Sequence, residues 1–245
     1  MTLLSKHILL VASSAIMVAA TSSFTLDNSI RPASEVARDA ARKPLEMVTF
    51  AKIAPGQTVV DMLPGGGYFT RIFAQAVGPS GHVVALVPRQ FAERFPKART
   101  DIEALAAEPA YKNVEAAVRG LGDVGVPNSV DRVWTAQNYH DLKNSQLHAD
   151  TTTGVNKAVF AALKPGGYYI VLDHSAAAGS GIRDVEKLHR IDAAVVKAEV
   201  TAVGFKFDGE SDTLANPADD RTKLVFDPAI RGHTDQFIYR FRKPD

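Results

Sequence analysis

Residues 65–67 are three consecutive glycines standing between an apolar, β-branched run, TVVDML at 58–63, and an amphipathic stretch, YFTRIFAQAV at 68–77. A strand that turns into a helix across bare main chain limits the possible folds more than any other feature of the chain. Without a Cβ the loop tolerates positive φ and lets a ligand approach the backbone. The helix it opens begins with unpaired N–H groups. The loop therefore predicts a partner carrying acceptor atoms, a ligand-free tight turn being the alternative. Gly78-Pro79 stops the helix, and HVVALV at 82–87 is the next strand.

The alternation continues along the chain. Strands are predicted at 114–118, 130–137 and 168–174, with a closing pair at 205–211 and 235–242. Helices are predicted in the second half of 90–109, at 145–163, where Gly166-Gly167 supplies the stop, and at 183–203. Before the first strand, residues 31–56 have helical spacing divided at Pro44 and ended by Pro55-Gly56. Strand and helix in turn imply βαβ crossovers and a mostly parallel sheet. Ligands of such sheets sit at carboxyl strand ends where the strand order reverses; here those ends are 61–67, 87–89, 137–141 and 173–175.

The 245 residues suit one large domain with extensions. Lys+Arg of 28 against Asp+Glu of 27, with no basic block, argues against a nucleic-acid partner. The absence of cysteine excludes disulfides, thiolate metal sites and a Cys nucleophile. Lys6 followed by ILLVASSAIMVAA at 8–20 reads as a signal peptide cleaved after Ala20, an uncleaved anchor being the alternative. The expected organisation is a signal peptide at 1–20, an N-terminal helical extension at 21–57 and the main domain at 58–245. The expected location is periplasmic or secreted, with no stable membrane span after cleavage. Nothing in the sequence sets the oligomeric state.

Three chemistries compete for the glycines. A phosphate-cradling P-loop needs Gly-Lys-Ser/Thr, and Tyr68-Phe69 stand there instead. A dinucleotide fingerprint puts Thr70 at the third small position, a poor basis for a nicotinamide-dependent oxidoreductase. The third is carried by a resemblance. Residues 59–86 resemble the first two strands of class I S-adenosylmethionine-dependent methyltransferases, whose pattern is acidic-x-G-x-G-x-G: Asp61, Gly65 and Gly67 match, and Leu63 occupies the first glycine position. LKPGGYYIVLDH at 163–174 is similar to the family's fifth strand, and QNYHDL at 137–142 with HRID at 189–192 is similar to an exported, predicted-methyltransferase subgroup. The likeness extends over roughly 44–245.

The resemblance implies a Rossmann-like, open, mostly parallel seven-stranded sheet with helices on both faces and an antiparallel C-terminal strand. It implies S-adenosylmethionine (SAM) as cofactor, with Asp61 near its amino-acid end and Gly65, Gly66 and Gly67 backing its ribose and amino-acid portion. Asn138 is placed to contact the cofactor or hydrogen-bond a substrate. The family's ribose-binding carboxylate would fall at Val87, before Pro88, and neither side chain can accept a hydrogen bond from a diol.

Methyl transfer is an in-line displacement helped by alignment and by removal of the nucleophile's proton. His140 at the mouth of the fourth strand is the candidate base, with Asp141 or Asp173 to orient it and Tyr139 to hydrogen-bond or stack a substrate. A capping, partly buried histidine is the alternative. His174, Asp173 and His189 are candidate substrate-binding residues, with His189 and Asp192 expected on one helix face. Imidazoles and carboxylates of this kind can hold zinc or another divalent ion, but no H-x-x-x-H or H-E-x-x-H spacing exists, so a hydrogen-bonded network and no metal is the expectation, with a divalent ion as the alternative. Ser175 and Ser180 lack a nucleophile elbow. The connection 212–234 carries Asp219, Asp220, Arg221, Lys223, Asp227 and Arg231, mixed charge of the kind that marks a solvated face, and it is also long enough to act as a lid, with Arg221 or Arg231 available to an anionic substrate. The resulting expectation is a SAM-dependent methyltransferase acting on an unidentified small molecule. The alternative is an exported, non-catalytic small-molecule-binding protein with a degenerate methyltransferase fold.

Overall fold

The computed structural model of the chain describes residues 24–245; the predicted signal peptide, residues 1–20, lies outside them. Helices α1 (Ala33–Val36), α2 (Asp39–Arg42) and α3 (Pro44–Phe50) precede β1 (Thr58–Met62), α4 (Tyr68–Val77), β2 (His82–Pro88), α5 (Arg89–Arg94) and α6 (Pro96–Ala107). Next come β3 (Val114–Arg119), β4 (Val130–Ala136), α7 (Thr151–Ala162), β5 (Leu163–His174), α8 (Ala193–Ala202), β6 (Lys206–Ser211) and β7 (Gln236–Arg242). The strands form one sheet in the order β3-β2-β1-β4-β5-β7-β6. Pairing is parallel from β3 through β5, and β7 runs antiparallel to both β5 and β6. The order reverses between β1 and β4, so their carboxyl ends flank a crevice.

Period-two alternation sends successive side chains of the central strands to opposite faces, and both faces are covered. Val59, Trp134, Ile170 and Leu172 pack with Met47 of α3, Phe69 and Phe73 of α4 and Leu105 of α6. Phe69 and Phe73 both meet the Trp134 ring, at centroid distances of 4.8 and 5.3 Å. Val60, Val133, Tyr169 and Val171 pack on the other face with Val155 and Val159 of α7 and Val196 and Val200 of α8. Among the described residues, no helix is long and apolar enough to cross a membrane.

Four expected boundaries differ. The segment before β1 forms three short helices rather than two; Pro44 does open the last of them, after Lys43 at φ 47°. α7 begins at Thr151 rather than at 145, because residues after the 3-10 turn His140–Lys143 are held by other bonds, Ser145 N–H donating to Glu186 at 2.6 Å. β5 begins at Leu163, with Gly166-Gly167 inside it as an irregularity against β4 rather than as a helix stop. The expected helix 183–203 is reduced to α8. His189 adopts φ 54°, outside any helix, and Asp192 is the N-cap, accepting from Ala194 N–H at 2.9 Å.

Candidate functional site

A cavity of about 800 Å³ opens over the β1–β4 crevice. That volume suits a cofactor together with a small substrate. Asp61, at the end of β1, forms part of its floor and is buried. Its carboxylate accepts a 2.6 Å hydrogen bond from Thr70 Oγ1, and burial pushes its pKa up to about 6 despite that bond and nearby Arg42. Arg42, half-buried on α2 and stacked 4.5 Å over the Tyr68 ring, lines the same wall; burial and then Arg38 bring its pKa down to about 10.

Leu63 stands where the family pattern has its first glycine, and it adopts φ 60°, a conformation costly for a branched side chain. The backbone geometry of a glycine loop is thus kept without the glycine. Gly65 and Gly66 line the cavity, with open space where a Cβ would sit. Gly67 has a different role. At φ 86° it precedes α4, and a Cβ there would come within 2.4 Å of Leu105 Cδ1, so it lets α6 close on the loop rather than facing the ligand space. Gly67→Ala is expected to cost roughly 1–3 kcal/mol, checked by chemical denaturation; a loss below half a kcal/mol would show that α6 yields freely.

At the end of β2, Val87 is buried, and the cavity wall is made by Gln90 and Phe91, just beyond it. The position expected to hold a ribose-binding carboxylate thus has a neutral amide near it. At the end of β4, Asn138 Nδ2 donates to Leu63 O (3.0 Å) and Ala136 O (2.6 Å), tying the glycine loop to the neighbouring strand while lining the cavity.

Tyr139 does not reach the cavity. Its ring is fully buried, its hydroxyl lies 3.0 Å from Glu199 Oε2 and accepts from Asn156 Nδ2 at 2.8 Å, and burial raises its pKa. The catalytic or stacking role expected of it is corrected to a structural one, because its hydroxyl is taken up by Glu199 of α8 and Asn156 of α7.

His140 does line the cavity, although only 3% exposed. Its Nδ1 donates to Asp173 Oδ1 at 2.8 Å and its backbone N–H to Asp173 Oδ2 at 2.8 Å. Asp173, fully buried at the end of β5, also accepts from His174 N–H, so it is the residue that orients the imidazole. Burial disfavours charge on His140, but Asp173 more than offsets this and raises its pKa; burial likewise opposes charge on Asp173, and His140 brings its pKa below the ordinary value. His140 Nε2 lies 3.1 Å from His189 Nδ1 and 3.4 Å from Asp141 Oδ1. Burial raises the Asp141 carboxyl. His174 lies beside this cluster, its Nδ1 2.8 Å from Thr234 Oγ1, with burial bringing it down to about 4.

Of the polar residues singled out in the sequence, Asp61, Asn138, His140, Asp141, His174 and His189 meet on one cavity; Asp173, expected to bind substrate, is fully buried behind His140 with its carboxylate taken by residues 140 and 174, and Asp192 is spent on the α8 cap and on Gly179 N–H. Arg221 pairs with Asp235 at 2.9 Å, and Arg231 lines a smaller adjoining cavity of about 560 Å³ with Arg38 and Arg42. Sequence reasoning missed Arg42, Gln90, Phe91 and Phe226. Phe226 had a signal, an apolar Val-Phe pair inside a polar connection; its ring packs against His189 in a tilted arrangement at a centroid distance of 5.0 Å.

No protein-family model matches the chain. It is 30% identical over 124 residues, 51% of its length, to the arsenite methyltransferase of Halobacterium salinarum, and the match spans only 29% of that protein. Among solved structures it resembles a SAM-dependent methyltransferase from Aquifex aeolicus, with a TM-score of 0.59 at 14% identity covering 84% of this chain and 98% of the other. It also resembles the cyclase SpnF, with a TM-score of 0.63 at 16% identity covering 84% and 81%. Sheet order, glycine loop and these likenesses agree: the chain has the fold of class I SAM-dependent methyltransferases.

Proposed function

We propose that the protein transfers a methyl group from SAM to a small molecule, in the periplasm or outside the cell. The observation that carries this reading is the cavity over the β1–β4 crevice, with Asp61 and the bare main chain of Gly65-Gly66 at one part of its wall and the Asp173-backed His140 at another. SAM would lie along the first part, its ammonium near Asp61, and the acceptor would meet the sulfonium beside His140. Bound there, SAM would supply an electrophilic methyl group to the acceptor's lone pair, the C–S electron pair going to sulfur to give S-adenosylhomocysteine (SAH), and the His140 Nε2 lone pair would help the acceptor's proton depart. A binding protein would share the cavity, but an oriented histidine at the reacting end favours transfer. The arsenite relative does not supply the acceptor's identity, since this chain has no cysteine to hold a thiophilic arsenic centre. Export rests on the Lys6-led apolar run.

Calorimetry with SAM and SAH tests the reading: one equivalent of each should bind with Kd below about 1 mM, and absence of heat at millimolar ligand overturns it. The affinity should depend on pH. Asp61, raised to about 6, is ionised at pH 7 and attracts a cationic ligand; as the pH falls through 6 it protonates and the attraction is lost. SAM binding should weaken roughly tenfold between pH 7 and pH 5, and Asp61→Asn should be weak and flat across that range.

A further inference from the structure

We propose that His140, Asp141 and His189 form a binding site for one divalent transition-metal ion of the zinc type. His140 Nε2, His189 Nδ1 and Asp141 Oδ1 lie 3.1, 3.4 and 3.7 Å from one another, and the three residues can each turn one ligand atom to a common centre. Ligand atoms about 2.0–2.1 Å from a tetrahedral zinc stand roughly 3.3–3.4 Å apart. The spacing is thus what three faces of one coordination shell require.

Three further features agree. The Asp141 carboxylate, partly buried beside two imidazoles and acted on more weakly by Arg94, accepts no hydrogen bond from the described residues, so its lone pairs are not spent on a donor. His140 donates its other nitrogen to the fully buried Asp173, the carboxylate–histidine arrangement that fixes the tautomer and leaves Nε2 free to ligate. His189 holds φ 54°, a conformation a β-substituted residue adopts only when its surroundings impose it, and that conformation brings Nδ1 to His140.

Two imidazoles and one carboxylate suit a borderline divalent ion and leave at least one coordination position open. All three residues line the cavity, so that position faces ligand space. If the proposed methyl transfer holds, an acceptor oxygen would fill it, and the ion would lower that oxygen's pKa as a Lewis acid; the binding of the ion does not depend on that reading. The ligand spacing hides from sequence scanning, because residues 140, 141 and 189 belong to two separate segments joined by sheet topology.

The test uses untagged full chain stripped with a chelator and titrated with Zn²⁺ by calorimetry and with Co²⁺ by visible absorption, in the absence of SAM and acceptor. One equivalent of each ion should bind, Co²⁺ giving the d–d bands of a four- or five-coordinate site. His189→Ala and Asp141→Asn should each weaken binding by about 100-fold or more, and Asp173→Asn by roughly 10–100-fold. Asp141→Asn removes no hydrogen bond, so it remains informative if His189→Ala fails to fold by near-ultraviolet circular dichroism. Equal affinity in Asp141→Asn and the parent, or no binding at micromolar ion, overturns the site. SAM binding, measured on the same stripped protein, succeeds or fails independently, so loss of the metal site and loss of the methyltransferase reading are told apart.

Discussion

Replacing His140 by alanine should lower the rate of methyl transfer by about 10²–10⁴ while leaving SAM affinity within roughly twofold. The asymmetry follows from the proposed layout: the end of the cavity proposed for SAM is built by Asp61, Gly65 and Gly66, and His140 sits on the turn after β4. Whether Nε2 takes a proton or holds an ion, the alanine variant lacks the lone pair. The readout is SAH formation over a panel of hydroxyl-, amine- and thiol-bearing acceptors, measured at saturating SAM. A structural role would show itself differently. Asp173 would keep the backbone N–H donors of residues 140 and 174 but lose the imidazole, so some stability would go too. Assays should therefore run well below the variant's unfolding temperature, with His140→Gln as a polar control. A rate within threefold of the parent for an acceptor that the parent methylates would remove His140 from the chemistry.

The sheet was legible because its strands are β-branched runs separated by turn residues, and α4 was legible because Phe69, Ile72, Phe73 and Val77 repeat at helical spacing between glycine stops. Segments whose conformation is set by side-chain bonds from distant parts of the chain were not. Residues 183–192 carry helical-looking spacing, yet Ser145 N–H takes Glu186 as acceptor and Gly179 N–H takes Asp192, and the segment folds as turns. The same limit applied to the site. Asp61, Gly65 and Gly66 were found by local pattern, whereas the pairing of His140 with Asp173 needed β4 and β5 side by side, and Arg42 came from an extension read only as amphipathic. Tyr139 was assigned wrongly for a related reason. Neighbouring positions in a sequence share a loop, but a tight turn sends one side chain into the cavity and the next into the core.

The connection 212–234 gives the other large expected effect: Asp219→Ala should destabilise the protein by about 3–5 kcal/mol. Its mixed charges read as a solvated face, but Asp219 and Arg190 are an ion pair at 2.8 Å with both side chains essentially buried. Arg190 also donates to Ser175 O and Lys223 O, and Asp219 accepts the backbone N–H groups of Asp235 and Arg221. One pair thus fastens the connection to the end of β5 and to the entry of β7, and Leu188 O accepts Val225 N–H beside it, seating Phe226 against His189. Removing the carboxylate strands a buried guanidinium, which is costlier than having no pair at all. The double change Arg190→Met with Asp219→Leu should therefore recover much of the loss. Burial opposes charge on Asp219, but the bonds it accepts outweigh that and hold its pKa below the usual value. Its contribution is then complete above the ordinary carboxylate range and is lost as pH falls below about 4, so the double variant should lose less stability on acidification than the parent. Urea unfolding at pH 7 and pH 3.5 measures both effects, and limited proteolysis within 212–234 reports the loosened connection. A cost under 1 kcal/mol for Asp219→Ala would mean that the guanidinium finds water when its partner goes, and that the connection is held over the cavity by its apolar contacts alone.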